Sequence, residues 1–354
     1  MFSSIAIVGA GAIGLYYGGR LAEAGHRVSF LLRSDFDAVK QHGLHVDSID
    51  GSFHLPQPLI AQRPEEIGPV DLVIVAWKAT SNFLLEKILP PLLHDGTQVI
   101  TLQNGMGNVE AIAAITGPER VLAGLCFVCI NRIAPGQIRH TAGGRMAIGE
   151  LMPAIPDRAT TLARMFRDAK IEASVEPNVE ETAWKKLIWN VPFNGLAITA
   201  GGKTTDQLLA EPAIEKEIRA LMAEVVQAAH ARGFAISPHL IETNIERTRP
   251  MGPYRPSSLI DWQEGREVEI DAIWREPLRR AHTAGLHLPH WEKLLKNLES
   301  TLRGQSSHGN ILSESLEVNT GICQKTITFL LITMHSFATA KTPLQTSKSR
   351  SPFS

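Results

Sequence analysis

Ile5-Ala6-Ile7-Val8-Gly9-Ala10-Gly11-Ala12-Ile13-Gly14 is the stretch that decides the fold. Four apolar residues read as a buried strand, and three glycines follow at the spacing GxGxxG. The Ala- and Leu-rich run after them reads as a helix ending near Gly25, a residue suited to the left-handed position past a helix end. In this strand–turn–helix setting each glycine has its own task. Gly9 permits the tight turn, Gly11 lets the backbone approach a pyrophosphate, and Gly14 lets helix and strand pack closely. Ala10, Ala12 and Ile13 complete the turn, where the helix start offers unpaired N–H groups to phosphate. A glycine turn that holds nothing is the bland alternative.

Working outward, Val28 to Leu32 reads as the next strand, and Leu72-Val73-Ile74-Val75 and Val99-Ile100-Thr101-Leu102 continue the series. Alternation of such runs with helical patterns signals an α/β arrangement, a parallel-rich sheet covered by helices. Pro90-Pro91 should break any helix leading into it. Val121 to Leu151 mixes apolar runs with glycines and reads as late strands closing the sheet. Past Pro177 the pattern turns helical. Ile214, Ile218, Leu221, Met222, Val225 and Ala229 form one stripe from Pro212 to Ala231. A further helical pattern runs from Val268 toward Ala284, and Leu294, Leu295, Leu298 and Leu302 give a last amphipathic turn or two. The expected division is 1–176, 177–303 and a tail, 304–354, to which no element or chemistry is assigned.

At 354 residues the chain has room for about two domains. Its 35 basic and 36 acidic side chains leave a formal charge of −1, which argues against a general nucleic-acid or polybasic membrane binder. An apolar share of 44% and a charged share of 20% exclude a disordered or fibrous chain. Three cysteines are too few for a disulfide scaffold of this size. The start, Met1-Phe2-Ser3-Ser4, has no basic segment of the signal-peptide kind, and no apolar run reaches the roughly 18 residues of a membrane span. A cytoplasmic protein with no membrane partner is the expectation.

The end of the second strand tells which dinucleotide the turn suits. A site for NAD would place an acidic residue there for the ribose 2′-hydroxyl. Here Leu32 is followed by Arg33 and Ser34. A guanidinium pairs with a 2′-phosphate, so NADPH is favoured. The alternative is that Arg33 is an ordinary surface arginine and Asp35 takes the ribose.

The second informative stretch is Trp184-Lys185-Lys186-Leu187-Ile188-Trp189-Asn190-Val191-Pro192-Phe193-Asn194. Steps of four drift by only about 40° on a helix, so Lys186, Asn190 and Asn194 share one face. One lysine and two amides beside Leu187 and Val191 are odd for a core and sparse for a solvated face. Pro192 should disturb the ladder and re-aim Asn194. A surface stripe with incidental asparagines is the competing reading.

These motifs together resemble the ketopantoate reductase (2-dehydropantoate 2-reductase) family from about Ile5 to Leu302. The resemblance rests on the glycine turn with Arg33, on Lys78 in Ala76-Trp77-Lys78-Ala79, and on Gln103-Asn104-Gly105. It continues through the Trp184–Asn194 run to Pro256-Ser257-Ser258-Leu259-Ile260-Asp261 and Glu267-Val268-Glu269-Ile270-Asp271. The resemblance implies a Rossmann-type domain followed by an all-helical one, with the site in the cleft between them. It implies that Lys186 is the general acid and that Glu269 contacts substrate near it. Asn190 and Asn194 would hold a substrate hydroxyl, and Ser257 its carboxylate. Asn104 and Lys78 would stand at the cofactor–substrate junction. Alignment on Asp261 selects Ser257 over Ser258, with a slip of one left open. The asparagine register selects Lys186 over Lys185.

The implied reaction is the NADPH-dependent reduction of 2-dehydropantoate to (R)-pantoate. Hydride attack builds negative charge on a ketone oxygen, which a nearby ammonium stabilises and neutralises. Burial lowers a lysine pKa and a neighbouring carboxylate raises it, so Lys186 is subject to opposing pulls. A reductase of the same architecture acting on a different 2-oxo acid would share nearly all these motifs. A non-catalytic NADPH-binding regulatory protein would keep the glycine turn but leave the lysine–asparagine stripe without a role. The sequence leaves a homodimer open. Cys126 and Cys129 read as parts of a buried strand, and His282, His287 and His290 as helix-end and loop residues, with no metal site expected.

Overall fold

The computed structural model describes residues 2–151 and 157–304. The expected tail falls outside these residues apart from Gly304. β1 (Ser4–Val8) is buried on both faces: Ile5 and Ile7 enter one apolar cluster, Ala6 and Val8 the other. That double burial is what a central parallel strand requires. α1 (Ala12–Glu23) and β2 (Arg27–Leu31) follow, then α2 (Phe36–His42), β3 (Leu44–Ser48), β4 (Phe53–Leu55) and β5 (Leu59–Ala61). α3 (Pro64–Ile67) leads to β6 (Leu72–Val75), and α4 (Leu85–Ile88) precedes β7 (Gln98–Thr101). The proline pair ends α4 as expected, since Pro90–Leu92 is only a 3₁₀ turn. α5 (Asn108–Thr116) connects to two 14-residue strands, β8 (Val121–Ala134) and β9 (Gln137–Glu150), and α6 (Arg158–Asp168) to β10 (Ala173–Val175).

The ten strands form one sheet in the order β4-β3-β9-β8-β7-β6-β1-β2-β5, with β10 also on β9. β5, β2, β1, β6, β7 and β8 run parallel. β8 and β9 are antiparallel, as are β3 and β4. β8 and β9 join the sheet as strands, as their composition suggested, but β3 and β4 lie beyond β9 and end it, so the late strands do not close the sheet. β7 pairs with β8 only as far as Ala123, so the rest of the β8–β9 hairpin projects past the ends of the parallel strands. Its inner face packs against α1: Cys126, Met146 and Ile148 share a cluster with Tyr16, Tyr17 and Leu21, and the Tyr17 hydroxyl donates to Gly144 O at 3.2 Å.

The rest is helical: α7 (Val179–Thr199), α8 (Thr205–Ala210), α9 (Pro212–Ala231), α10 (His239–Thr248), α11 (Ser257–Gln263) and α12 (Glu276–Thr283), with a last helical stretch over 289–304. Asn178 caps α7 by accepting from Glu181 N at 3.1 Å. The helix continues through Pro192, whose missing N–H leaves one ladder bond unmade; its flanks Val191 and Phe193 are fully buried, and tertiary packing carries the helix past it. The pattern from Val268 is interrupted instead. Asp271–Arg275 is a π-helical turn, placed just before Pro277, whose missing N–H and bulky ring oppose a regular α-helical ladder there. Among the described residues, no helix is long and apolar enough to cross a membrane.

Candidate active site

The glycine turn is built as a phosphate cradle. Gly9 has φ of +95°, and a Cβ there would lie 2.1 Å from Trp77 N. A Cβ on Gly14 would lie 2.3 Å from Gly9 O, so helix and strand touch through these two positions. At Gly11 a Cβ would meet nothing within 4 Å, so the turn opens outward at that residue. Gly11 is also the N-cap of α1 and supplies no side-chain acceptor, which leaves the first N–H groups of the helix free for an anion. These features fit a dinucleotide pyrophosphate.

Arg33, just past β2, is exposed and has no ion-pair or hydrogen-bond partner among the described residues. Asp35 is 2% exposed and already occupied: it pairs with Arg132 and accepts from Gly136 N at 3.0 Å. The alternative in which Asp35 takes a ribose hydroxyl therefore has no free carboxylate to offer, whereas Arg33 has a free guanidinium. This geometry fits a 2′-phosphate.

Lys186, from the middle of α7, donates to Asn104 Oδ1 and to Cys126 O, both at 2.8 Å. Its ammonium also lies 5.5 Å from the centre of the Phe127 ring. An ammonium has three donors, and these two bonds leave one for a ligand. Of the opposing pulls on Lys186, burial wins: its pKa is lowered, with the neighbouring Cys126 and Glu269 pushing the other way. Lys185 points elsewhere and pairs with Glu181 at 2.6 Å.

Asn104 is held by a chain of amides, of which Asn82 and Asn108 belong to no motif read from the sequence. Asn108 donates to Asn104 O at 2.9 Å and accepts from Asn82 Nδ2 at 2.9 Å. Asn82 Oδ1 accepts from Gln103 Nε2 at 2.8 Å and Trp77 Nε1 at 3.1 Å. The loops after β6 and β7 are thereby locked together. Gly105, with φ of +79°, allows the second loop to dock on the π turn: Met106 N donates to Ala272 O at 2.8 Å, and a Cβ on Gly105 would meet that oxygen at 2.2 Å.

Glu269 is 8% exposed and accepts from Ala79 N at 2.8 Å. Burial raises its carboxyl to about 7, against the lowering effects of that N–H, Lys78 and Lys186. A free carboxyl releases its proton near 4.5, so the unfolded chain loses this proton first and rising pH then favours unfolding. The folded state should lose up to ~3 kcal/mol to this group between pH 4.5 and 7. Thermal unfolding of wild type and Glu269→Gln from pH 4 to 8 tests it: the variant should gain on wild type across that window and run parallel above it. A gain for wild type instead would mean that its ion pairs outweigh burial.

Lys78 pairs with Asp261 Oδ1 at 2.7 Å and donates to Glu267 O at 3.3 Å. Asp261 also binds Arg266 at 3.0 Å. The structure divides the two asparagines. Asn190, 9% exposed, has a side-chain amide with no hydrogen bond to the described residues, so it is available to a ligand. Asn194, 1% exposed, donates to Asn190 O at 3.1 Å and accepts from Ser258 N at 3.0 Å, spending its amide on the start of α11. Ser257 has the exposed hydroxyl, 3.5 Å from Asn194 Oδ1, while Ser258 is buried. Lys186, Asn104, Glu269 and Lys78 are thus gathered where sheet and helices meet, and Gly9 of the glycine turn lies against Trp77, the neighbour of Lys78.

Of the residues read as strand or loop positions, Cys126 reaches the site through its carbonyl oxygen, which accepts from Lys186. Cys126 and Cys129 lie on β8 as free thiols, and His282 and His287 both face Glu292 while His290 faces Glu217. Among the described residues no group of three or more His, Cys, Asp or Glu is placed to hold a metal.

Comparison with known proteins gives a consistent result. The family model "Ketopantoate reductase PanE/ApbA" matches residues 5–153, and "Ketopantoate reductase PanE/ApbA C terminal" matches 178–300. A 2-dehydropantoate 2-reductase of Nostoc sp. is 38% identical over 315 residues, spanning 88% of this chain and 98% of that protein. The crystal structure of 2-dehydropantoate 2-reductase from Geobacter metallireducens GS-15 superimposes with a TM-score of 0.82 at 43% identity, covering 84% of this chain and 99% of that one. A ternary structure of D-mandelate dehydrogenase with NADH and anilino(oxo)acetate shares the fold at a TM-score of 0.77 and 24% identity, over 85% of this chain and 99% of that one.

Proposed function

The chain belongs to the ketopantoate reductase PanE/ApbA family, and from that premise we propose that it reduces 2-dehydropantoate to (R)-pantoate with NADPH, Lys186 acting as the proton donor. The observation that carries this reading is the 2.8 Å bond from Lys186, on the helical side, to Asn104, on the loop that follows β7. It holds an amine with one spare N–H at the mouth of a dinucleotide groove. A division near residue 176 fits the gap between the two family segments.

The Gly9–Gly14 turn and the N-terminus of α1 would hold the pyrophosphate, and Arg33 the 2′-phosphate. When bound, NADPH supplies the hydride. Every other step falls to side chains of this chain. Lys186 directs its free N–H at the ketone oxygen and gives up a proton as charge gathers there. Asn104 and Cys126 O keep the ammonium aimed, and its lowered pKa brings donation nearer to working pH. Asn190 offers both a donor and an acceptor, the pair of roles that a substrate hydroxyl needs and that neither an ammonium nor a carboxylate can fill alone. Glu269, held neutral more readily than an ordinary carboxyl, stands close enough to Lys186 to influence its charge. Ser257 presents its hydroxyl to the substrate carboxylate, and Asn194 positions it by fixing the start of α11.

NADPH consumption, followed by absorbance with 2-dehydropantoate and a panel of other 2-oxo acids, tests the function. Preference for another 2-oxo acid would retain the mechanism and change the substrate. Binding of NADPH without consumption on any of them would favour the regulatory reading. Arg33 makes a separate prediction. A hydrogen bond to a charged group contributes about 1.5–3 kcal/mol, so Arg33→Ala should weaken NADPH binding roughly tenfold to a hundredfold and leave NADH nearly unchanged. Equal losses for both cofactors in a fluorescence titration would remove Arg33 from 2′-phosphate recognition.

A further inference from the structure

We propose that Arg145, which no motif marks, selects for anionic substrates by receiving the carboxylate of the 2-oxo acid; this rests on the reductase reading above. Arg145 on β9 is the register partner of Phe127 on β8, so both side chains leave the hairpin on the same face. Alternate residues Cys126, Val128 and Ile130 turn inward to the cluster around α1. Phe127 therefore points away from that cluster, toward α7. Lys186 contacts its ring there. Cys129, two residues along the same face, packs against Tyr254, close in sequence to Ser257. One face of the projecting hairpin thus forms a wall of the space bounded by Lys186 and the loop that leads into α11.

On that wall the Arg145 guanidinium stacks over Phe127, 4.3 Å from the ring centre, the same ring that the Lys186 ammonium approaches to 5.5 Å. Two cations share one aromatic ring. Among the described residues Arg145 has no carboxylate or hydrogen-bond partner. The other cations around the space are committed: Lys78 to Asp261, Arg266 to Asp261 and Glu264, and Lys185 to Glu181. Arg255, beside Ser257 in sequence, is turned to Gln263 at 3.3 Å. A 2-oxo acid carries its carboxylate directly on the ketone carbon. A ketone oxygen on Lys186 therefore brings the negative charge into the neighbourhood of this ring. A planar guanidinium, pre-oriented by stacking and unpaired, is the group that matches a carboxylate with two parallel N–H bonds. Ser257 contributes a neutral hydroxyl to the same ligand, which gives direction without charge.

The test is steady-state kinetics of the full-length chain with the preferred 2-oxo acid and with its neutral primary amide. Arg145→Ala should raise KM for the acid about tenfold to a hundredfold. KM for NADPH and kcat/KM for the amide should stay within about twofold. Arg145→Lys, which keeps the charge and loses the fork, should recover part of the loss, and Arg255→Ala should leave KM for the acid unchanged. An unchanged acid KM in Arg145→Ala, a rise in KM for NADPH in its place, or transfer of the effect to Arg255→Ala would each overturn the assignment. If wild type consumes NADPH with no 2-oxo acid, it is the reductase reading that fails. The Arg145 assignment is then read by calorimetric binding of oxamate to NADPH-loaded protein, where equal affinities of wild type and Arg145→Ala would overturn it.

Discussion

Lys186→Ala should lower turnover by about two to four orders of magnitude, the usual contribution of one positioned proton donor. The size follows from what alanine cannot replace. Asn104 Oδ1 and Cys126 O lose their shared donor, and the ketone oxygen loses the ammonium held beside them. NADPH binding should be spared, because Lys186 belongs neither to the glycine turn nor to the Arg33 contact. The pH profile gives a second, sharper readout. Wild-type kcat should fall at alkaline pH as the ammonium titrates, with a midpoint below that of an ordinary lysine because burial disfavours its charge. The alanine variant should lack that limb, and a small primary amine added to the buffer should restore part of the rate. Near-wild-type turnover, or a variant whose alkaline limb persists, would take Lys186 out of the chemistry. Thermal unfolding separates this from loss of fold.

The parts of this site that could be read from the sequence are those whose cause is local. Ile5 to Gly14 reads correctly since a buried strand, a tight turn and a helix start are each decided by a few neighbouring residues. The four-residue spacing that puts Lys186 and Asn190 on one face of α7 is likewise a property of the helix alone. The remainder depends on contacts between distant segments. Asn190 and Asn194 look alike on that face, yet only α11, more than sixty residues on, decides that Asn194 is consumed by Ser258 N. Asp35 looks as suitable for a ribose as any acidic residue near β2 until the β8–β9 hairpin delivers Arg132 and Gly136 N to it. The amides Asn82, Gln103 and Asn108 carry no pattern of their own; they matter through the two loops they join. Pro192 shows the converse, a local penalty of one lost ladder bond that does not end the helix because its neighbours are buried. Arg145 was invisible for the same reason as Asp35, since a hairpin register places it.

Gly9→Ala and Gly11→Ala, two residues apart in one turn, should fail in different ways. Gly9 sits at φ of +95°, a conformation that costs an alanine roughly 1–3 kcal/mol before any collision. The added methyl would also lie 2.1 to 2.5 Å from the Trp77 backbone and Cβ, closer than such atoms approach. The loop after β6 would have to move, and with it Asn82 and the lock on Asn104. The unfolding midpoint should therefore drop by several degrees, with NADPH binding and turnover lost together. Gly11 has φ of −86°, which alanine adopts freely, and its methyl would meet no protein atom within 4 Å. Its stability should change by no more than about 0.5 kcal/mol. The same methyl would stand in the opening through which a pyrophosphate reaches the N–H groups of α1, so NADPH affinity should fall at least about tenfold, the equivalent of one lost charge-assisted hydrogen bond. Paired unfolding and titration experiments distinguish the two. A Gly11→Ala protein that binds NADPH as wild type does would show that the dinucleotide is not held at this turn, and would leave the ammonium of Lys186 with no hydride donor to face.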